Sequence, residues 1–171
     1  MNRYQRVLLA ALLASCSVFY VSANELSFAQ ESSIPPSFIE TFKHSWAAGR
    51  YVFDTPINPF FIQGDFNGDG RLDCAILVKE KSSGKLGIAI VHTGENQVRI
   101  LGAGRRFGNG GDDFAWVDAW YAYPKGAVRP GADGSPPPKL RGDALMVIKT
   151  EAASSLIYWT GKQYRWYQQE D

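Results

Sequence analysis

Cysteine is nearly absent from this sequence, which holds only Cys16 and Cys74. Cys16 lies in the N-terminal apolar run, so Cys74 has no intramolecular partner and a disulfide framework is excluded. Stability has to come from an apolar core and from any bound metal. An excess of positive charge is missing as well: 18 basic side chains face 17 acidic ones. Residues 1–23 hold Arg3 and Arg6 and no acid, so without them 16 basic groups face 17 acidic ones. That balance argues against nucleic acid or an anionic membrane surface as partner. Beyond Val21 no apolar run approaches the length of about 20 residues that a membrane span needs, and no transmembrane segment is expected in the mature protein.

What is present begins with an export signal. Arg3 and Arg6 precede an almost unbroken apolar run from Val7 to Val21, and Val21-Ser22-Ala23 has the small-residue form of a cleavage site. Residues 1–23 therefore read as a signal peptide, and a periplasmic or extracellular protein is expected. Leu13-Ala14-Ser15-Cys16 offers a second reading, a lipoprotein signal over 1–15 with Cys16 lipidated and the protein anchored to the outer membrane. Ser17 to Ala23 stays apolar where a tethered lipoprotein turns polar, which favours cleavage after Ala23. Residues 24–171 are then a length suited to one domain.

Pro35-Pro36 can open a helix, and Phe38, Ile39, Phe42 and Trp46 follow at helical spacing until Gly49. One amphipathic helix is predicted over about 36–48, with His44 on its solvated side. From Phe60 the pattern changes to short apolar or alternating runs separated by Gly, Asn and Asp, which predicts a mainly-β fold of antiparallel meanders. The strand candidates are Phe60 to Phe66, Asp73 to Lys79, Lys85 to His92 and Gln97 to Leu101. Phe114 to Tyr123, Asp143 to Lys149, Ser155 to Thr160 and Tyr164 to Gln168 follow. Cys74 to Val78 is apolar throughout, so a central strand and an inert, buried thiol are expected there. Residues 124–141 hold five prolines and read as a long surface loop. In the last strand Tyr164 and Trp166 should share one face and Tyr167 the other, and most aromatics from Trp116 onward should serve the core.

The motif with chemistry in it is Asp65-Phe66-Asn67-Gly68-Asp69-Gly70-Arg71-Leu72-Asp73. Side-chain oxygens stand at positions 1, 3, 5 and 9, with glycine at position 6. A hard cation takes six to eight oxygens, and this loop offers three carboxylates, an amide oxygen and the carbonyl of Arg71, with water to complete the shell. Without sulfur or imidazole in the loop, calcium is expected rather than zinc or copper. An EF-hand is excluded, because position 12 is Ile76 rather than glutamate and a strand follows rather than a helix.

The stretch from Phe61 to Asp73 resembles the loop of FG-GAP and VCBS-type repeats, which joins the first two strands of a four-stranded propeller blade and holds calcium. The resemblance implies that Asp65, Asn67, Asp69, Arg71 (through its carbonyl) and Asp73 are ligands. It covers one blade-like unit over about 60–101, and no second copy of the loop follows. A propeller needs about four to eight blades, so a complete one is excluded.

Asp112, Asp113 and Asp118 cluster near Phe114, Trp116 and Trp120, and carboxylates beside aromatics occur in sugar-processing sites. His92 could act as a base there if the fold brought it close. The preferred reading is an exported, calcium-stabilised, noncatalytic binding module for a protein or glycan. The alternatives are an envelope glycan hydrolase using Asp112, Asp113 or Asp118, and an inhibitor or immunity protein against a toxin or lytic enzyme.

Overall fold

A computed structural model describes residues 26–131 and 134–170. The export segment, both cleavage positions and Cys16 lie outside the described residues. Two short helices come first, α1 (Phe28–Ser33) and α2 (Pro36–Lys43), followed by nine strands. They are β1 (Tyr51–Phe53), β2 (Phe61–Gly64), β3 (Asp73–Glu80), β4 (Leu86–Val91), β5 (Val98–Gly102), β6 (Ala119–Tyr123), β7 (Ala144–Lys149), β8 (Ala153–Trp159) and β9 (Tyr164–Glu170).

The mainly-β expectation holds: the strands form two antiparallel sheets, and neither closes into a barrel or propeller. The first sheet runs β1-β3-β4-β5, with β2 also paired to β3, and the second runs β6-β7-β8-β9. Every residue of Cys74 to Val78 is buried, as a strand covered on both faces requires. The Cys74 thiol is pushed up to about 12 by that burial, which keeps it protonated and inert.

Alternation sorts the side chains into three packed layers. One face of the first sheet meets α2 through Phe38, Ile39, Phe42, Ile76, Val78, Ala89 and Ile100. The opposite face meets the second sheet through Ile62, Phe66, Leu77, Ile88, Ile90, Trp120, Leu145, Val147 and Ile157. The outer face of the second sheet is covered by the proline-rich loop, with Val128 and Leu140 on Met146, Leu156 and Tyr167. Tyr164 and Trp166 face the intersheet core and Tyr167 the opposite side, as period two dictates.

Two boundaries, the end of α2 and the start of β6, differ from expectation, and two elements, α1 and β1, were not expected at all. α2 ends at Lys43 rather than near residue 48, because the Ser45 hydroxyl takes the Phe42 carbonyl and then accepts from the Ala47 amide, drawing the chain into turns. Trp46 therefore leaves the helix and is 52% exposed. The run from Phe114 forms a strand only from Ala119, since Asp113 Oδ1 accepts from the Leu86 and Ala115 amides and turns the chain there. β1, only three residues long, gave no periodic signal of its own.

Candidate metal centre

β2 ends and β3 begins where Gly64 pairs with Asp73, so residues 65–72 form a closed loop. Its alternate side chains fold back onto its own backbone. Asp65 Oδ1 accepts from the Gly68 amide at 2.7 Å and the Asp69 amide at 3.0 Å, and Asp65 Oδ2 accepts from Gly70 at 2.9 Å. Asn67 Oδ1 accepts from the Asp69 amide and Asp69 Oδ1 from the Arg71 amide, both at 2.9 Å. This winding requires positive φ at Gly68 (83°) and Gly70 (84°), where a side chain is disfavoured.

Asp73 closes the loop from inside. It is fully buried, with Oδ2 accepting from the Phe66 and Asn67 amides and Oδ1 from the Thr93 amide at 2.8 Å. Burial pushes its carboxyl above the ordinary carboxylate range. Asp69 lies at the surface, where the Arg71 guanidinium, 2.6 Å from Oδ2, holds its carboxyl down at about 2.

The loop is also tied to the second sheet. The Asp65 amide donates to Asp143 Oδ2 at 3.0 Å, and the Asp143 amide donates to the Asp65 carbonyl at 2.7 Å. Gly68 and Gly142 face each other across this joint: a Cβ on Gly68 would lie 2.3 Å from the Arg141 carbonyl oxygen, and one on Gly142 2.1 Å from that of Asp65. Sequence reasoning did not find Asp143 or Thr93 as partners of the loop. One signal for Asp143 was its position just before β7, matching that of Asp73 at the head of β3.

A carboxylate has about four acceptor positions and an amide oxygen two. Asp65, Asn67 and Asp73 each keep one open after these bonds, on Oδ2, Oδ1 and Oδ1 respectively, and Asp69 keeps room on Oδ1 because three of its four bonds, from Asn67 and the Arg71 guanidinium, fall on Oδ2. An all-oxygen donor set of this kind fits calcium in its chemistry. Among the described residues, however, no three His, Cys, Asp or Glu side chains are gathered into a metal cluster. The expected ligands therefore share one loop but do not all converge on one point.

Comparison with known proteins finds no matching family model, curated protein or solved structure. The likeness to repeat loops thus rests on residues Phe61 to Asp73 alone.

The second candidate constellation is dispersed. Asp112 pairs with Lys85 at 2.5 Å and is lowered by that contact. Asp113 Oδ1 caps the Leu86 and Ala115 amides. Asp118 accepts from the Thr150 hydroxyl and amide and pairs with Lys149, which together hold it at about 2. A general acid needs a raised carboxyl, and neither Asp112 nor Asp118 has one. His92 reaches none of the three. It is fully buried, with Nε2 at 2.6 Å from the Tyr164 hydroxyl and Nδ1 at 3.3 Å from Glu95, and burial lowers its pKa.

Proposed function

We propose that this chain is an exported, noncatalytic binding module in which the Asp65–Asp73 loop takes calcium. Asp65, Asn67, Asp69, Asp73 and the carbonyl of Arg71 would hold the ion, whose charge would offset three neighbouring carboxylates. The observation that carries this reading is the open acceptor position on each of the four side chains, in a loop cross-tied to the second sheet through Asp143. A cation there would stiffen the joint between the sheets, a structural role that needs no reaction. The noncatalytic part is supported by Asp112, Asp113 and Asp118 each being committed to a local ion pair or cap.

Arg71 now supplies the positive charge that Asp69 would otherwise receive from the ion, so the two compete for one carboxylate. Binding to the native state alone raises stability by about 2.7 kcal/mol at a hundredfold excess over Kd. Thermal unfolding in calcium and in chelator tests this. The unmutated protein should melt higher in calcium, Asp69→Ala should lose the difference, and Asp112→Ala should keep it. Arg71→Ala retains the carbonyl and frees Asp69, so it should respond at lower calcium. Identical melting of the unmutated protein in both conditions would overturn the assignment.

A further inference from the structure

β5 pairs with β4 on one side only, and among the described residues no strand covers its other edge. The ladder phase shows which groups that edge presents. The Ala103 amide donates to the Leu86 carbonyl at 2.8 Å, in register with Gly87 opposite Gly102. Antiparallel pairs alternate between bonded and non-bonded, so Arg99 and Leu101 bond toward β4 while the N–H and C=O groups of Val98 and Ile100 point outward. The Gly102 carbonyl, also outward, is already taken by the Arg105 amide at 2.9 Å.

A groove of about 540 Å³ runs along this edge, lined by Trp46, Arg99, Arg105, Trp159, Lys162 and Tyr164 among others. Each wall pairs an aromatic ring with a cation. On the helix side, Arg105 lies 5.7 Å from the centroid of the exposed Trp46 ring. On the side of the second sheet, Arg99 lies 4.8 Å from the Trp159 centroid, with Lys162 nearby. Glu95 takes one guanidinium nitrogen of Arg99 at 2.6 Å, while its Nη1 is buried without a hydrogen-bond partner. Among the described residues, no carboxylate pairs with Arg105 or Lys162.

We infer that this groove is a strand-addition site for an extended, acidic peptide segment of a partner protein. The partner's backbone bonds to Val98 and Ile100, and its alternate side chains reach the two cation-bearing walls. Charge decides among the occupants. The chain's own residues 1–23 contain no carboxylate to meet Arg105 or Lys162. A second copy adding antiparallel through its own β5, Val98 opposite Ile100, would set Arg99 directly against its counterpart, which like-charge repulsion opposes. The inference deepens the binding-module reading and rests on it, but it uses no residue of the Asp65–Asp73 loop.

The test is fluorescence anisotropy with a labelled peptide alternating glutamate and valine, beside a lysine–valine peptide and a copy of the first N-methylated at alternate amides. Polygalacturonate is the competing probe. The acidic peptide should bind, and the lysine and N-methylated peptides should not. Arg105→Gln with Lys162→Gln should weaken binding by about tenfold while the melting temperature holds. Asp69→Ala should leave peptide binding unchanged, which separates this site from the calcium loop. Equal binding of the methylated peptide, equal binding of the lysine peptide, no binding of the acidic peptide, or binding of polygalacturonate alone would each overturn the inference. N-methylation alters the ligand only, so that arm does not depend on how a variant folds.

Discussion

The two sheets pass from their first meander strand to the next by very different routes. Between β2 and β3 the chain crosses in residues 65–72, and the side chains of Asp65, Asn67 and Asp69 accept from amides of the loop itself. Between β6 and β7 it travels through residues 124–143, with no helix or strand in the described part, and folds across the outer face of its own sheet. Both connections nonetheless end on an aspartate that caps amides. Asp73 caps Phe66, Asn67 and Thr93, and Asp143 caps Lys125 and Asp65. A short loop between strands is held by carboxylates turned onto its backbone. A long one is held by burial of Val128 and Leu140 and by Tyr167, whose hydroxyl accepts from the Gly131 amide and donates to the Ser135 carbonyl, both at 2.8 Å.

The comparison breaks most readily at glycine. Gly68→Ala needs positive φ and drives a Cβ to 2.3 Å from the Arg141 carbonyl oxygen, whereas a Cβ on Gly126 meets nothing closer than 3.8 Å. In chelator, Gly68→Ala should cost about 3 kcal/mol or more and Gly126→Ala no more than about 0.5 kcal/mol. Urea denaturation midpoints at constant slope measure both. Equal costs would show that the short loop is as yielding as the long one.

The two aspartates provide the next separation. Asp73→Ala leaves three amides without their acceptor around a fully buried site, and should cost about 3 kcal/mol. Asp143→Ala removes two such bonds and should cost about half of that, roughly 1–2 kcal/mol. A larger loss at Asp143 would make the joint between sheets, rather than the loop interior, the dominant anchor.

The smallest effect tests what pins the long connection. Tyr167→Phe keeps the ring on Leu156 and Met146 but removes both hydroxyl bonds, and should cost about 1 kcal/mol. Faster proteolysis within residues 124–141 should accompany it. Unchanged protection would assign the loop's placement to Val128 and Leu140 alone.

Much of this was legible in the amino acids. Alternating runs broken by Gly, Asn and Asp located β2 to β5 and β7 to β9 to within a few residues, because strand periodicity is local. The loop's oxygen spacing was equally plain. Less legible were the end of α2, decided by one serine hydroxyl, and β6, shortened by an aspartate turn. In both places a side chain competed with the backbone pattern, and periodicity carries no record of that competition.

By itself the sequence determined the β meanders, the buried and inert Cys74, the proline-rich connection and the oxygen-rich turn, since each follows from neighbouring residues. Only the tertiary structure decided the rest. It set Asp143 against Asp65 across 78 positions, and separated Asp112 and Asp118 onto different lysines. It also sealed His92 against Tyr164, and left β5 with an unpaired edge between two cation-bearing walls. The physical reason is that sheet stacking and strand order depend on which apolar faces meet, and an apolar face carries no address for its partner.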